Sequence, residues 1–135
     1  MPADRPSSPS ALFSLEGILW PALLYGPNRR IIAANGLAEA LAGRALAGAY
    51  VATLTGLLHV RRTDCSYVVL PEMPAIRALA GEEVVDLPVS ISAANGRRTV
   101  ILVSSSLVRE DGKIVGALSI WRDSSHPDDP PGGDW

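Results

Sequence analysis

Cysteine is almost absent from this sequence. The chain of 135 residues contains one cysteine, Cys65, so no disulfide can form within it. A chain without disulfides suits a reducing compartment. The first ten residues hold no charged stretch followed by an apolar core, so they do not resemble a secretion signal. Together these features predict a cytoplasmic protein.

Charge is also scarce, and neither sign dominates. Asp, Glu, Lys and Arg make up 19% of the chain, against ~25% in an average domain, and the net charge is -2. The sequence has no basic stripe, so nucleic acid is not expected as a partner. A small domain with this apolar bias often hides part of its surface against another protein.

No apolar run in the sequence is long and clean enough to predict a membrane span. Residues 36–58 come nearest, but they include Glu39, Arg44 and four glycines. A spanning helix needs ~20 predominantly apolar residues, and an arginine near the bilayer centre costs roughly 2.5–3.5 kcal/mol on insertion scales. We therefore predict two short buried helices in this segment.

Motifs of catalysis and metal binding are missing as well. The sequence shows no P-loop, phosphoacceptor histidine box, receiver acidic pocket or zinc-ligand spacing. The serines at 104–106 lack a G-x-S-x-G elbow, so they are predicted to pack rather than to react. Glu72 and Glu82 fall at opposite ends of one predicted helix, which does not favour a catalytic pair. The sequence therefore predicts no enzyme, no metal site and no output domain of its own.

The strongest feature that is present is a long hairpin over residues 98–123. Its two strands are rich in apolar and β-branched residues on both faces, and Asp111 and Gly112 between them favour a tight turn. A strand that is apolar on both faces is typical of the centre of a sheet that is covered on both sides.

Two shorter strands and three helices are predicted before that hairpin. Residues 21–25 and 30–34 form a first hairpin, and Asn35 is a favourable N-cap for a helix that Gly43 ends. A second short helix begins at Gly48 and breaks at Gly56. A third covers residues 72–80, with Pro74 in its first turn, where the missing N–H costs nothing.

A fifth strand lies between the helices and the long hairpin. Residues 84–93 alternate, which predicts a half-buried strand. Pro88 cannot donate to a ladder, so this strand belongs at a sheet edge, and Asn95-Gly96 is a hairpin turn that follows it. The predicted buried face contains Val85, Leu87, Val89, Ile91 and Ala93.

The resulting fold class is α+β, a five-stranded antiparallel sheet with the short helices packed on one face. We predict one domain over residues 15–123. A flexible lead of residues 1–14, with a short N-terminal helix capped by Ser10, precedes it, and a flexible tail rich in Pro, Asp and Gly follows over residues 124–135.

This order of elements, with the turn and cap residues between them, resembles the PAS domain family, as seen in bacterial sensor kinases. Each motif is weak alone, and their order and spacing carry the resemblance. The turn at residues 26–29 departs from the family, which has Asp-Gly or Asn-Gly there. The matching segments are residues 30–35, the helix to Gly43, Leu46-Ala47-Gly48, residues 71–82, Asn95-Gly96, residues 111–117 and Trp121-Arg122-Asp123.

The resemblance implies a sensory module in which helices and sheet enclose a cavity for a small apolar or aromatic ligand. Ligand state there would shift the sheet and regulate a separate output domain or partner. The alternative is an interaction-only domain with a filled cavity; an enzyme on this fold is a third and weaker hypothesis. The predicted wall consists of Leu41, Leu54, Leu58, Ile76, Leu79 and Val103, with Asn35 as a polar group.

The cofactor stays unidentified, and haem and flavin are disfavoured. The family's haem histidine lies in the helix that matches residues 72–80, which has none, and His59 precedes that helix. Flavin-binding light sensors carry a motif around a reactive cysteine that Asp64-Cys65-Ser66 does not match.

A homodimer through the outer face of the sheet is the remaining expectation. The helices cover one apolar face, and contiguous apolar patches of several hundred Å² are rare on monomers. A second copy of the same face is the simplest cover. Alternation leaves open whether Ile120 or Trp121 points outward. We predict Trp121, together with Leu12, Phe13 and Leu15 of the N-terminal helix.

Overall fold

The computed structural model describes residues 15–124 and is built around one antiparallel sheet. Its strands stand in the order β2-β1-β5-β4-β3, so the last strand of the chain is at the centre. This arrangement confirms the predicted α+β class and the five-stranded sheet. The strands are Ala22–Tyr25 (β1), Ile31–Ala34 (β2), Val84–Ser92 (β3), Arg98–Glu110 (β4) and Lys113–Asp123 (β5).

Short helices fill the chain between β2 and β3. The α-helices are Gly36–Ala42 (α1), Val51–Leu57 (α2) and Pro74–Leu79 (α3), and 3-10 turns lie at Leu15–Gly17 and Leu70–Glu72. The helix predicted over residues 72–80 is shorter than expected, because Met73 is extended and separates the 3-10 turn from α3. The second helix does not break at Gly56 but continues to Leu57.

Turn chemistry places the hairpins where the sequence predicted them. Asp111 and Gly112, with φ angles of 52° and 78°, join β4 to β5, a geometry typical of two-residue hairpin turns. Asn95-Gly96 lies between β3 and β4, where Gly96 N donates to Ala93 O. The predicted edge position of the Pro88 strand is confirmed, since β3 is the last strand of the sheet.

Two β-bulges change which side chains face inward. In β3 the register shifts between Val84 and Leu87, and Asp86 has a φ of 49°. Val85 is therefore 68% exposed, and its predicted place on the buried face is wrong. In β5 the register shifts where Val108 pairs with Gly116 instead of Val115. One extra residue moves all later side chains to the opposite face.

The second bulge corrects the prediction for Trp121. Its side chain is 5% exposed and belongs to the core between sheet and helices, with Leu23, Tyr25 and Val103. The outer face carries Leu118 and Ile120 instead, which pack with Ala22 and Leu24. The predicted outward orientation of Trp121 is therefore wrong, and its buried side chain is not available as a dimer contact.

The outer face is partly covered within the chain. Leu15 is 3% exposed and packs with Ala22 and Leu24, with Ile18 beside them. Because Leu15 is already buried, it has little surface left for a partner. The prediction that it is a dimer contact is therefore wrong. The predicted contacts Leu12 and Phe13, the helix capped by Ser10 and most of the C-terminal tail lie outside the described residues.

Gly116 permits the close approach of β5 to β1. A Cβ atom there would lie 1.9 Å from the carbonyl oxygen of Tyr25, in a conformation with φ of 156°. Gly116→Ala should therefore destabilise the fold by about 2 kcal/mol or more, in the range of overpacking substitutions. Urea unfolding followed by circular dichroism measures this loss.

Gly56→Ala is the matched control for that substitution. Gly56 lies inside α2, and a Cβ there would meet nothing within 4 Å. Replacement of a helical glycine by alanine should stabilise the protein by about 0.5–1 kcal/mol. If both variants change stability equally, the close approach at Gly116 does not constrain the fold.

Candidate functional site

Asn35 joins three parts of the chain at the base of α1. Its Oδ1 accepts hydrogen bonds from Ala22 N and Ala38 N, both at 3.0 Å. Its Nδ2 donates to the carbonyls of Trp20 at 2.8 Å and Leu15 at 3.2 Å. The predicted N-cap is confirmed. The contacts to residues 15–22 are additional and link the N-terminal segment and β1 to the helix.

These hydrogen bonds exclude Asn35 from the ligand-binding role that the sequence predicted. The side chain is 1% exposed, and both ends of its amide already have partners. It does not line the cavity described next. Asn35 is therefore a structural residue, and its placement as the polar group of a ligand site is wrong.

An apolar cavity lies between the inner face of the sheet and the helices. Its volume is about 30 Å³, and a buried water needs roughly 10–15 Å³ measured in this way. The space therefore fits one or two waters as it stands. Its walls are Tyr25, Leu54, Leu58, Val60, Met73, Pro74, Ala75, Val89, Ile91, Ile101, Val103, Ser119 and Trp121.

The predicted wall residues divide into three groups. Leu54, Leu58 and Val103 line the cavity. Ile76 is buried in the same core without lining the cavity, and Leu79 is half-buried outside it. Leu41 lines two open grooves at the protein surface, beside Thr99. Ligand contact by any of these residues stays a prediction.

Sequence reasoning missed most of the sheet side of this cavity. β3 contributes Val89 and Ile91, while β5 contributes Ser119 and Trp121. Val89 and Ile91 could have been found, because they alternate on the predicted buried face of β3. Ser119 and Trp121 could not be found without the bulge in β5, which sets their direction.

The polar groups of the cavity are hydroxyls and an indole N–H. Among the described residues no hydrogen bond is formed by the Tyr25 hydroxyl, although the residue is 3% exposed. Burial raises the pKa of Tyr25, so the phenol stays protonated and is a donor. The hydroxyls of Ser119 and Ser105 bond to each other across β5 and β4. None of the described residues that line this cavity carries a charged side chain.

Other residues considered from the sequence lie away from the cavity. His59 is an exposed loop residue with a φ of 47°, and its carbonyl accepts from Arg98 Nη2 at 3.0 Å. Cys65 is exposed in the next loop. Glu72 pairs with Arg62, and Glu82 pairs with Arg77 at 2.7 Å, which holds the pKa of Glu82 below its usual value.

Within residues 15–124 no three His, Cys, Asp or Glu side chains are grouped so that they could hold a metal ion. In the same part of the chain, the helices are all too short or too polar to cross a membrane.

No protein-family model and no curated protein sequence matches the chain. Solved structures do match. The PAS domain of nitrogen regulation protein NR(II) from Vibrio parahaemolyticus is 17% identical, with a TM-score of 0.58, over 86% of this chain and 99% of that one. The PAS domain of an HTR-like protein from Haloarcula marismortui is 14% identical, with a TM-score of 0.58, over 87% and 91%.

A light-oxygen-voltage domain gives a similar match, with 15% identity and a TM-score of 0.59 over 87% of each chain. The likeness covers nearly all of the described residues and nearly the whole length of these domains. The chain therefore has the PAS fold. The resemblance inferred from the motifs is confirmed at the level of the fold.

Removal of the Asn35 side chain should weaken the fold more than loss of an ordinary helix cap. An N-cap contributes roughly 0.5–2 kcal/mol, and each buried group left without a partner adds about 1–3 kcal/mol. We expect Asn35→Ala to lower the free energy of unfolding by about 2–4 kcal/mol in urea melts. Asn35→Asp should cost a similar amount, because a carboxylate cannot donate to Trp20 O and Leu15 O. If capping were its only role, Asn35→Asp would cost much less, because Asn and Asp cap helices about equally well.

Asn28→Ala is the control for this series. Asn28 is exposed, and its Oδ1 accepts one hydrogen bond, from Arg30 N. Its replacement should change stability by less than about 1 kcal/mol. An Asn35→Asp variant as stable as the wild type would show that the two donor contacts contribute nothing.

Proposed function

We propose that this domain is a PAS-type sensory and dimerisation module in signal transduction, which regulates a separate output domain or partner protein. The observation that carries the proposal is the apolar cavity on the inner face of a PAS-fold sheet. The similar NR(II) domain belongs to a nitrogen regulation protein, which supports a regulatory role. The single cysteine suits a cytoplasmic protein, and the resemblance to PAS domains of bacterial sensor kinases suits a bacterial one.

The central strand β5 offers a route for the signal. Ser119 and Trp121 face the cavity, while Leu118 and Ile120 alternate with them on the outer face. A ligand that displaces the first pair moves the second pair, because all four side chains share one backbone. If the outer face has two conformations, ligand binding shifts the balance between them. The size of that shift is limited by the difference in ligand affinity between the two conformations.

The interaction-only domain remains the second candidate, and cavity volume favours it. A space of about 30 Å³ is far below the ~300–1,000 Å³ typical of sites for drug-sized ligands. In this alternative the core is filled, and the domain acts only through its outer surface. Both candidates share the PAS fold and predict a dimer, but only the sensory module binds a small molecule.

Native mass spectrometry of the protein purified from its own host separates these candidates. A sensory module should carry a noncovalent mass in a reproducible fraction of molecules, and denaturation should release it. Protein that is uniformly free of extra mass, together with no stabilisation by added small molecules in a thermal-shift screen, would favour the interaction-only domain.

The dimer is testable through Ile120. Leu118 and Ile120 are half-buried on the outer face, and a two-fold axis would place this face against itself. We expect the wild type to sediment as a dimer at micromolar concentration. Ile120→Glu should sediment as a folded monomer, because a charge introduced at the interface would be buried without a partner.

Two further substitutions make this result specific. Val85→Glu changes an exposed residue of the edge strand β3 and should leave the dimer intact. Trp121→Glu places a charge in the core and should unfold the protein, which circular dichroism detects. A wild type that stays monomeric up to high micromolar concentration rules out the dimer.

A further inference from the structure

Besides the indole N–H of Trp121, the described residues that line the cavity offer two hydroxyl donors and no carboxylate or amide oxygen as an acceptor. The Tyr25 hydroxyl has no partner among the described residues, although 97% of the residue surface is covered. The Ser105–Ser119 pair has two hydroxyl protons, and one of them is used within the pair. Neither serine forms another side-chain hydrogen bond in the described chain, so a second donor proton is uncommitted.

These two donors lie on the same face of neighbouring strands. Tyr25 of β1 is opposite Ala117 of β5, so Ser119 is its diagonal neighbour two residues further along. Diagonal residues in an antiparallel pair remain within reach of aromatic side chains. Tyr25 and Ser119 both line the cavity. The two hydroxyls therefore border the same space.

Charge restricts the chemistry of that acceptor. The described residues that line the cavity include no Arg, Lys or His, so a carboxylate would be buried there without a counter-charge from them, at a large cost in free energy. A neutral carbonyl oxygen has two lone pairs and can accept from both donors. It also has no proton that would need an acceptor in return.

We propose that the cavity binds a small neutral carbonyl compound, with Tyr25 and the Ser119–Ser105 pair as the residues that determine its specificity. This inference rests on the proposed sensory function and names the ligand class of the same site. On binding, the carbonyl oxygen of the ligand takes the place of any water that is hydrogen-bonded to these donors in the free protein.

Met73 provides the room that a ligand of several heavy atoms needs. It lines the cavity, is half-buried and lies at the extended junction before α3. An unbranched thioether can repack at low cost. Movement of this side chain would enlarge the cavity without separation of the strands.

The test uses three probes in two-dimensional amide NMR titrations of the whole chain. They are 2-butanone, which has the carbonyl; xenon under pressure, which reports only on hollow apolar space; and butyrate at pH 7, which is charged. We expect 2-butanone and xenon to shift amides of cavity-lining residues, and butyrate to shift none of them.

Tyr25→Phe removes one donor and keeps the ring. Loss of one neutral hydrogen bond should weaken 2-butanone binding roughly three- to tenfold and leave xenon binding unchanged. The ligand-free variant should melt within about 1 °C of the wild type, because the Tyr25 hydroxyl forms no hydrogen bond with the described residues and the ring is kept. Ser119→Ala should weaken 2-butanone binding in the same range.

Tyr50→Phe is the matched control. Tyr50 is 47% exposed, its ring lies under the Arg30 guanidinium, and it does not line the cavity. Its replacement should leave the binding of all three probes unchanged.

The outcomes separate this inference from the proposed function. If xenon enters but Tyr25→Phe binds 2-butanone as tightly as the wild type, or butyrate binds better, the carbonyl assignment is overturned while the cavity remains a site. If neither xenon nor 2-butanone shifts any lining residue, the inference fails together with the sensory part of the proposed function, and the interaction-only domain is left.

Discussion

The amide of Asn35 is the constraint on which the other contacts depend. Helix α1, the start of β1 and the segment from Leu15 to Trp20 are separate in sequence, and this one side chain bonds to all three. Its burial makes the arrangement cooperative, because removal of the amide leaves several backbone groups without partners in a site that excludes water. The position of β1 in turn places Tyr25 at the cavity.

Local chemistry explains why the architecture could be predicted. Asn35 before a glycine-bounded helix, Pro88 in an alternating strand, and the turns at Asn95-Gly96 and Asp111-Gly112 each depend on a few neighbouring residues. The residue types themselves favour such caps and turns, without the help of distant partners. The other role of Asn35 could not be predicted, because its carbonyl partners lie 15 and 20 residues away and only the tertiary fold brings them near.

The cavity was less predictable because one bulge decides its sheet side. If β5 had no bulge, the register that begins at the turn at Asp111-Gly112 would pair Trp121 with Leu102, on the outer face. The extra residue near Gly116 pairs it with Val103 instead, which turns its ring into the core. A glycine inside a strand often marks a bulge or a close backbone approach, so Gly116 was the available signal. The alternation of apolar residues could not reveal it, since both faces are apolar.

The same bulge determines which side chains of β5 face the core and which face the outer surface. Gly116 lets β5 approach the carbonyl of Tyr25, and residues 118–121 then alternate between the outer face and the cavity. A close-packed sheet transmits a small displacement because its interior has few voids that could absorb it. A cavity with room for only one or two waters leaves little space for a ligand unless its walls move. A ligand that enters must displace these walls, and the central strand β5 is one of the walls whose alternate side chains lie on the outer face.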